Sequence, residues 1–230
     1  MTTYRYQFTF RNGVKRAFDV TLDDRTLDLV QRPKKSYPVW TELRCFKCPN
    51  CPLDGKEHAF CPIAVNLVDL IDFFGNWVSF EKADVLIETE ARTYMKRTRI
   101  DYAVSSLMGV YMVASGCPIM EKLKPMAFCH LPFATADETT YRAVSTYLLA
   151  QYFLHKRGGN PDWSMRKLVK IYHDVQIVNE NFSKRFAEIN VEDASANAVA
   201  LLDLFAKHVT ISFNENFLAQ IEPYFDAFFK

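Results

Sequence analysis

At 230 residues, 49% apolar and 14% aromatic, the chain carries enough apolar surface to bury a large core, which excludes the disordered class. Its 28 basic and 27 acidic residues leave a formal net charge of +1, so no global field recruits nucleic acid or anionic lipid. The segment Met1–Phe10 has neither an apolar core nor a small-residue cleavage site, and six cysteines without a secretion signal favour reduced thiols or metal ligands in a cytoplasmic protein.

Tyr4, Tyr6, Phe8 and Phe10 alternate with Arg5, Gln7 and Thr9, the period of a half-buried strand. Asn12-Gly13 then predicts a tight hairpin turn into a return strand over Val14–Leu22. A third strand is expected over Thr26–Gln31, with Leu27 and Leu29 on one face, until Pro33, Lys34 and Lys35 break into a cysteine-rich loop. Beyond Cys61-Pro62, the spacing of Ala64, Leu67, Val68, Leu70, Ile71 and Phe74 predicts a helix that stops near Gly75. Val85, Ile87, Thr89, Ala91 and Thr93 alternate as one longer strand that joins the amino-terminal sheet.

From Ile100 the pattern is helical. Tyr102–Met120 is uncharged but contains Ser105, Ser106, Gly109, Ser115, Gly116 and Pro118, so it reads as a buried helix ending near Gly116 and not as a membrane span. Further helices are expected over Asp137–Lys156, Trp163–Ile189, Glu192–His208 and Asn214–Phe229, the last interrupted at Pro223. Loop signals fall at Gly158–Pro161 and Asn190–Glu192. The fold class is α+β: a small antiparallel sheet with a cysteine metal loop in residues 1–99, packed on a mostly helical part in residues 100–230 as one compact unit.

The strongest chemical signal is Cys45, Cys48, Cys51 and Cys61, spaced C-x2-C-x2-C-x9-C. Thiolates three residues apart on a turn can converge, and a fourth from across a short loop completes a four-sulfur site. A C-x2-C-x2-C run with a remote Cys-Pro is shared by [4Fe–4S] sites, whereas zinc more often uses two separated pairs; zinc is the alternative, with His58 a possible substitute ligand. Pro49, Pro52 and Pro62 restrict the loop before any metal arrives.

A second constellation joins Ser115-Gly116-Cys117-Pro118 to Cys129-His130-Leu131-Pro132-Phe133. His130 could activate Cys117 or Cys129 as a nucleophile, but no orienting group or oxyanion motif accompanies them, and buried cysteines are commonly small apolar fillers. Arg92, Lys96, Arg97 and Arg99 with Tyr94 form a basic patch that could meet phosphates; a strand edge protected by charge is the simpler account, and nucleic acid is disfavoured. His155-Lys156-Arg157-Gly158-Gly159 lacks the order of a phosphate loop and reads as a helix carboxy terminus. Tyr172-His173-Asp174 and Asn179-Glu180-Asn181 read as exposed polarity on a long helix.

The chain resembles an uncharacterised bacterial domain-of-unknown-function family with a cysteine-rich amino-terminal loop. The resemblance lies in Cys48-Pro49-Asn50-Cys51-Pro52-Leu53, Cys61-Pro62, Ser115-Gly116-Cys117-Pro118, His130-Leu131-Pro132-Phe133 and Gln151-Tyr152-Phe153-Leu154, across most of the chain. It implies a compact bacterial protein and brings no activity across. Together the residues point to a soluble metal-binding protein, iron–sulfur ahead of zinc, whose helical part serves a protein or small-molecule partner. Two alternatives stay open: a redox or thiol-dependent enzyme using Cys117 and His130 near the metal loop, and a nucleic-acid module using Arg92–Arg99.

Overall fold

The computed structural model describes residues 1–31, 33–75, 77–189, 193–214 and 217–230. Strands β1 (Thr2–Phe10), β2 (Lys15–Leu22), β3 (Lys82–Glu88) and β4 (Thr93–Arg99) form one antiparallel sheet in the order β2-β1-β3-β4. Alternation along β1 turns Tyr4, Tyr6, Phe8 and Phe10 to the buried face, and the register sets Tyr6 between Phe18 and Ile87. Large side chains therefore stack across three strands. At the first hairpin Asn12 Oδ1 accepts from the Val14 N–H, while Gly13 takes φ +83°, where a side chain would be strained.

Two expected strands are corrected. Thr26–Gln31 forms only the isolated bridge of Leu29 to Leu22, because Leu27 turns the backbone at φ +58° and the Leu29 N–H is taken by the Ala114 carbonyl. The single long strand through Thr93 is instead the hairpin β3–β4. Thr89 closes its turn on Arg92 through both main-chain and hydroxyl bonds. Both strands have a period of two, so the alternation runs on across a short turn and hides it.

The helices are α1 (Pro62–Phe74), α2 (Ile100–Ala114), α3 (Pro125–Phe128), α4 (Ala136–Lys156), α5 (Arg166–Glu188), α6 (Asp193–Asn214) and α7 (Phe217–Ile221). A 3-10 segment, Glu222–Phe228, follows α7 with Pro223 in its first turn. The loop expected at Asn190–Glu192 lies outside the described residues. Helix α1 lays Phe73 and Phe74 on Phe8, Phe10 and Phe18 of the sheet. Helix α2 crosses next to α1, and α6 packs against α2, α4 and α5. One buried cluster runs from Tyr4 in the sheet to Val209 in α6. Among the described residues no helix is long and apolar enough to cross a membrane.

Candidate functional site

The cysteine loop is clamped at its base. Leu43 N–H donates to the Ala59 carbonyl (2.9 Å) and Cys61 N–H to that of Thr41 (2.8 Å), around a bridge between Glu42 and Phe60. Inside it, Cys51 N–H closes a turn on the Cys48 carbonyl (2.9 Å), and Asn50 Nδ2 anchors the loop to α5 through the Asp174 carbonyl (2.9 Å).

Cys48, Cys51, Cys61 and Cys117 line one small pocket of about 10 Å³, closed by Leu43, Val178 and Phe182 among others. The structure thus brings three of the four expected ligands together and adds Cys117 from the far end of α2. Cys45 is exposed outside that pocket, its thiol donating to the Val39 carbonyl (3.4 Å), and His58 is exposed in the turn after Asp54. Among the described residues no three His, Cys, Asp or Glu side chains converge closely enough to hold a single metal ion.

The local sequence explains how two of these sulfurs are held. Cys61 is the N-cap of α1 with Pro62 at the first helical position, and the N–H groups of Ala64 and Ile63 lie near enough to favour its thiolate without forming a cap hydrogen bond to the sulfur. Cys117 repeats the arrangement: Pro118 follows, and the Ile119 and Met120 N–H groups face the thiol. In both, proline occupies the position whose N–H could not reach the sulfur, while the next two donors favour a thiolate. All four pocket cysteines precede a proline; Cys45 precedes Phe46 and Cys129 precedes His130. That dipeptide is the sequence signal that could have assigned Cys117 to this group.

Burial raises the thiol of Cys48 to about 12, and it raises Cys61 and Cys117 as well. Arg185 opposes this for Cys48 and Cys61. Its guanidinium is 1% exposed and donates to the carbonyls of Trp40 (2.5 Å) and Phe46 (2.6 Å), between the rings of Phe46 and Phe182. Among the described residues it makes no ion pair with a carboxylate, and the groups that favour its charge are Cys61, Cys48 and Cys45. Nothing in the sequence around Arg185 marks it, because its role depends on α5 passing over the loop.

Cys117 and His130 are not brought together. Cys129 is exposed at the end of α3, and His130 faces a separate, larger cavity of about 170 Å³ between α2, α4, α5 and α6. His130 Nε2 is bonded to Tyr6 Oη, which also meets Ser106 Oγ at 3.0 Å. Burial, with the Arg142 charge adding to it, pushes the imidazole down to about 3, so it is neutral near pH 7. Tyr172 and Asn179, expected as exposed polarity, are buried at 3% and 1% and line the same cavity, because α6 covers that face of α5. The basic patch lies on and beside the edge strand β4, with Arg97 paired to Asp84, Arg99 to Asp101, and Lys96 over the Phe133 ring.

The profile of one family, Domain of unknown function (DUF6901), matches residues 3–226, and the chain belongs to that family. No curated protein and no solved structure matches it.

Proposed function

We propose that this member of an uncharacterised family is a metal-centred regulatory or partner-binding protein in which Cys48, Cys51, Cys61 and Cys117 hold an iron–sulfur cluster. The observation that carries the reading is Arg185, a buried cation beside the sulfurs of Cys61 and Cys48 with no carboxylate partner among the described residues. An isolated buried charge is costly, and four neutral thiols do not balance it. A centre built on four thiolates is net negative and does.

The cysteines ring a pocket without three of them meeting at one point, which suits a cluster in which each iron takes its own thiolate. The small volume, about 10 Å³, brings in a second reading, a single zinc, which requires the sulfurs to converge further than they do here, whereas a cluster requires the loop carrying Cys48 and Cys51 to swing outward. Either centre would tie that loop to the starts of α1 and of the turn after α2, so its loss would loosen contacts between sheet and helices. The thiol–imidazole enzyme loses support, since Cys117 serves the thiol pocket and His130 faces the other cavity. Anaerobic purification, visible absorption and analysis for iron, sulfide and zinc test the reading. Iron with sulfide and a visible band that bleaches on reduction is the expected result, colourless zinc protein supports the second reading, and metal-free protein overturns both.

A further inference from the structure

We propose that the cavity between α2, α4, α5 and α6 is a binding site for a small amphipathic monocarboxylate, its apolar body lying between the helices and its carboxylate on Arg142. The walls are almost entirely apolar: Val110 and Val113 from α2, Val175 from α5, Leu202 and Ala206 from α6. At about 170 Å³ the cavity is large for an unfilled interior, since a dry cavity of about 150 Å³ already holds benzene. Its α2 wall runs from Tyr102 to Val113, roughly 16 Å at the helical rise, so it suits a ring or a medium-length chain.

Two polar groups say that the guest is not a pure hydrocarbon. Arg142 reaches the wall from α4 and spends Nη2 on the Met126 carbonyl (2.7 Å), while its Nε is buried without a partner. Among the described residues it makes no ion pair, and no Asp or Glu lines the cavity. Asn179, 1% exposed and on the same cavity, has a buried, unpartnered Oδ1; as an acceptor it calls for a donor, so it marks a polar contact with a hydroxyl or water and not with the carboxylate itself. Orphaned buried polar atoms are uncommon because each is destabilising, and two on one cavity mark where a ligand's polar atoms belong.

The sign of the charge then follows. The guanidinium of Arg142 is the cation on the wall, and His130 adds no second one at neutral pH because its imidazole is buried and bonded to Tyr6. A single guanidinium, with only one Nη2 contact spent and its Nε unpartnered, balances the one negative charge of a carboxylate better than the higher charge of a phosphate, and it repels amines. Tyr172 Oη, whose partner is the weakly accepting Met126 sulfur at 3.5 Å, supplies a second donor on the same wall.

Calorimetric titration of the full chain, as isolated, with octanoate, octanol and octylamine tests this. Octanoate is expected to bind saturably and more tightly than octanol, with octylamine weakest. Arg142→Gln should weaken octanoate by about tenfold or more and leave octanol unchanged. Ala206→Phe, which fills the cavity, should abolish binding of both, with a thermal melt reporting whether that variant folds. The proposal is overturned if octanoate fails to saturate, if octylamine binds as well as octanoate, or if Arg142→Gln leaves octanoate binding unchanged.

Discussion

Helix α5 separates two pockets of opposite design. On the thiol side, Val178 and Phe182 close a space of about 10 Å³, and the adjacent cation, Arg185, spends its donors on two carbonyls and two aromatic faces. On the other side, Tyr172, Val175 and Asn179 line about 170 Å³, and the cation there, Arg142, keeps an unpartnered Nε. The segment after α2 is shared as well: Cys117 and Ile119 face the first pocket, Met120 and Leu123 the second. The contrast is in volume and in the cation: Arg185 has its guanidinium held on two carbonyls, whereas Arg142 leaves a buried donor open beside the larger space.

The largest effect expected is on metal content. Serine at Cys61 or Cys117 should remove most bound metal and lower the melting temperature, whereas Cys45→Ser should retain both, as elemental analysis and calorimetry would read. Loss of metal in Cys45→Ser with retention in Cys117→Ser would restore the contiguous four-cysteine loop as the ligand set.

Next come the two arginines. Arg185→Met should cost roughly 2–5 kcal/mol in denaturant unfolding, since it strands the Trp40 and Phe46 carbonyls and removes the charge facing the sulfurs. Arg142→Gln should stay within about 1 kcal/mol, because the wild-type side chain already leaves a donor unsatisfied. Equal costs at the two positions would erase the contrast between the pockets.

A pH series separates them further. His130 titrates at about 3 in the folded chain and near 6.5 when unfolded, so the unfolded state binds the extra proton between those values. Its contribution is therefore complete above about pH 6.5 and lost as pH falls toward 3, with a slope of up to about 1.4 kcal/mol per pH unit. His130→Phe should flatten that slope in stability measured across pH. An unchanged slope would place the acid sensitivity elsewhere.

The smallest effect concerns the helix that carries Arg142. Thr135 caps α4 in a reciprocal pair with Glu138, and Thr135→Ala should cost about 1 kcal/mol in chemical unfolding without altering metal content. A loss of metal in that variant would show that the two pockets are coupled through the bundle.

Local chemistry determined much of this from sequence alone. Alternation of aromatics makes β1, Asn12-Gly13 makes its hairpin, Pro62 and Gly75 bound α1, and the uncharged, serine-containing stretch from Tyr102 makes most of the buried α2; all are short-range consequences of side-chain period and backbone freedom. The clustering of Cys48, Cys51 and Cys61 was equally legible, since all three lie on one clamped loop. What sequence could not decide depends on chain crossings. Cys117 replaces Cys45 in the pocket because α2 ends beside the loop, Arg185 faces the sulfurs because α5 passes over them, and Tyr172 and Asn179 are buried because α6 lies across their helix. Each of those contacts joins residues dozens of positions apart, and periodicity along one element carries no record of which other element will cover it.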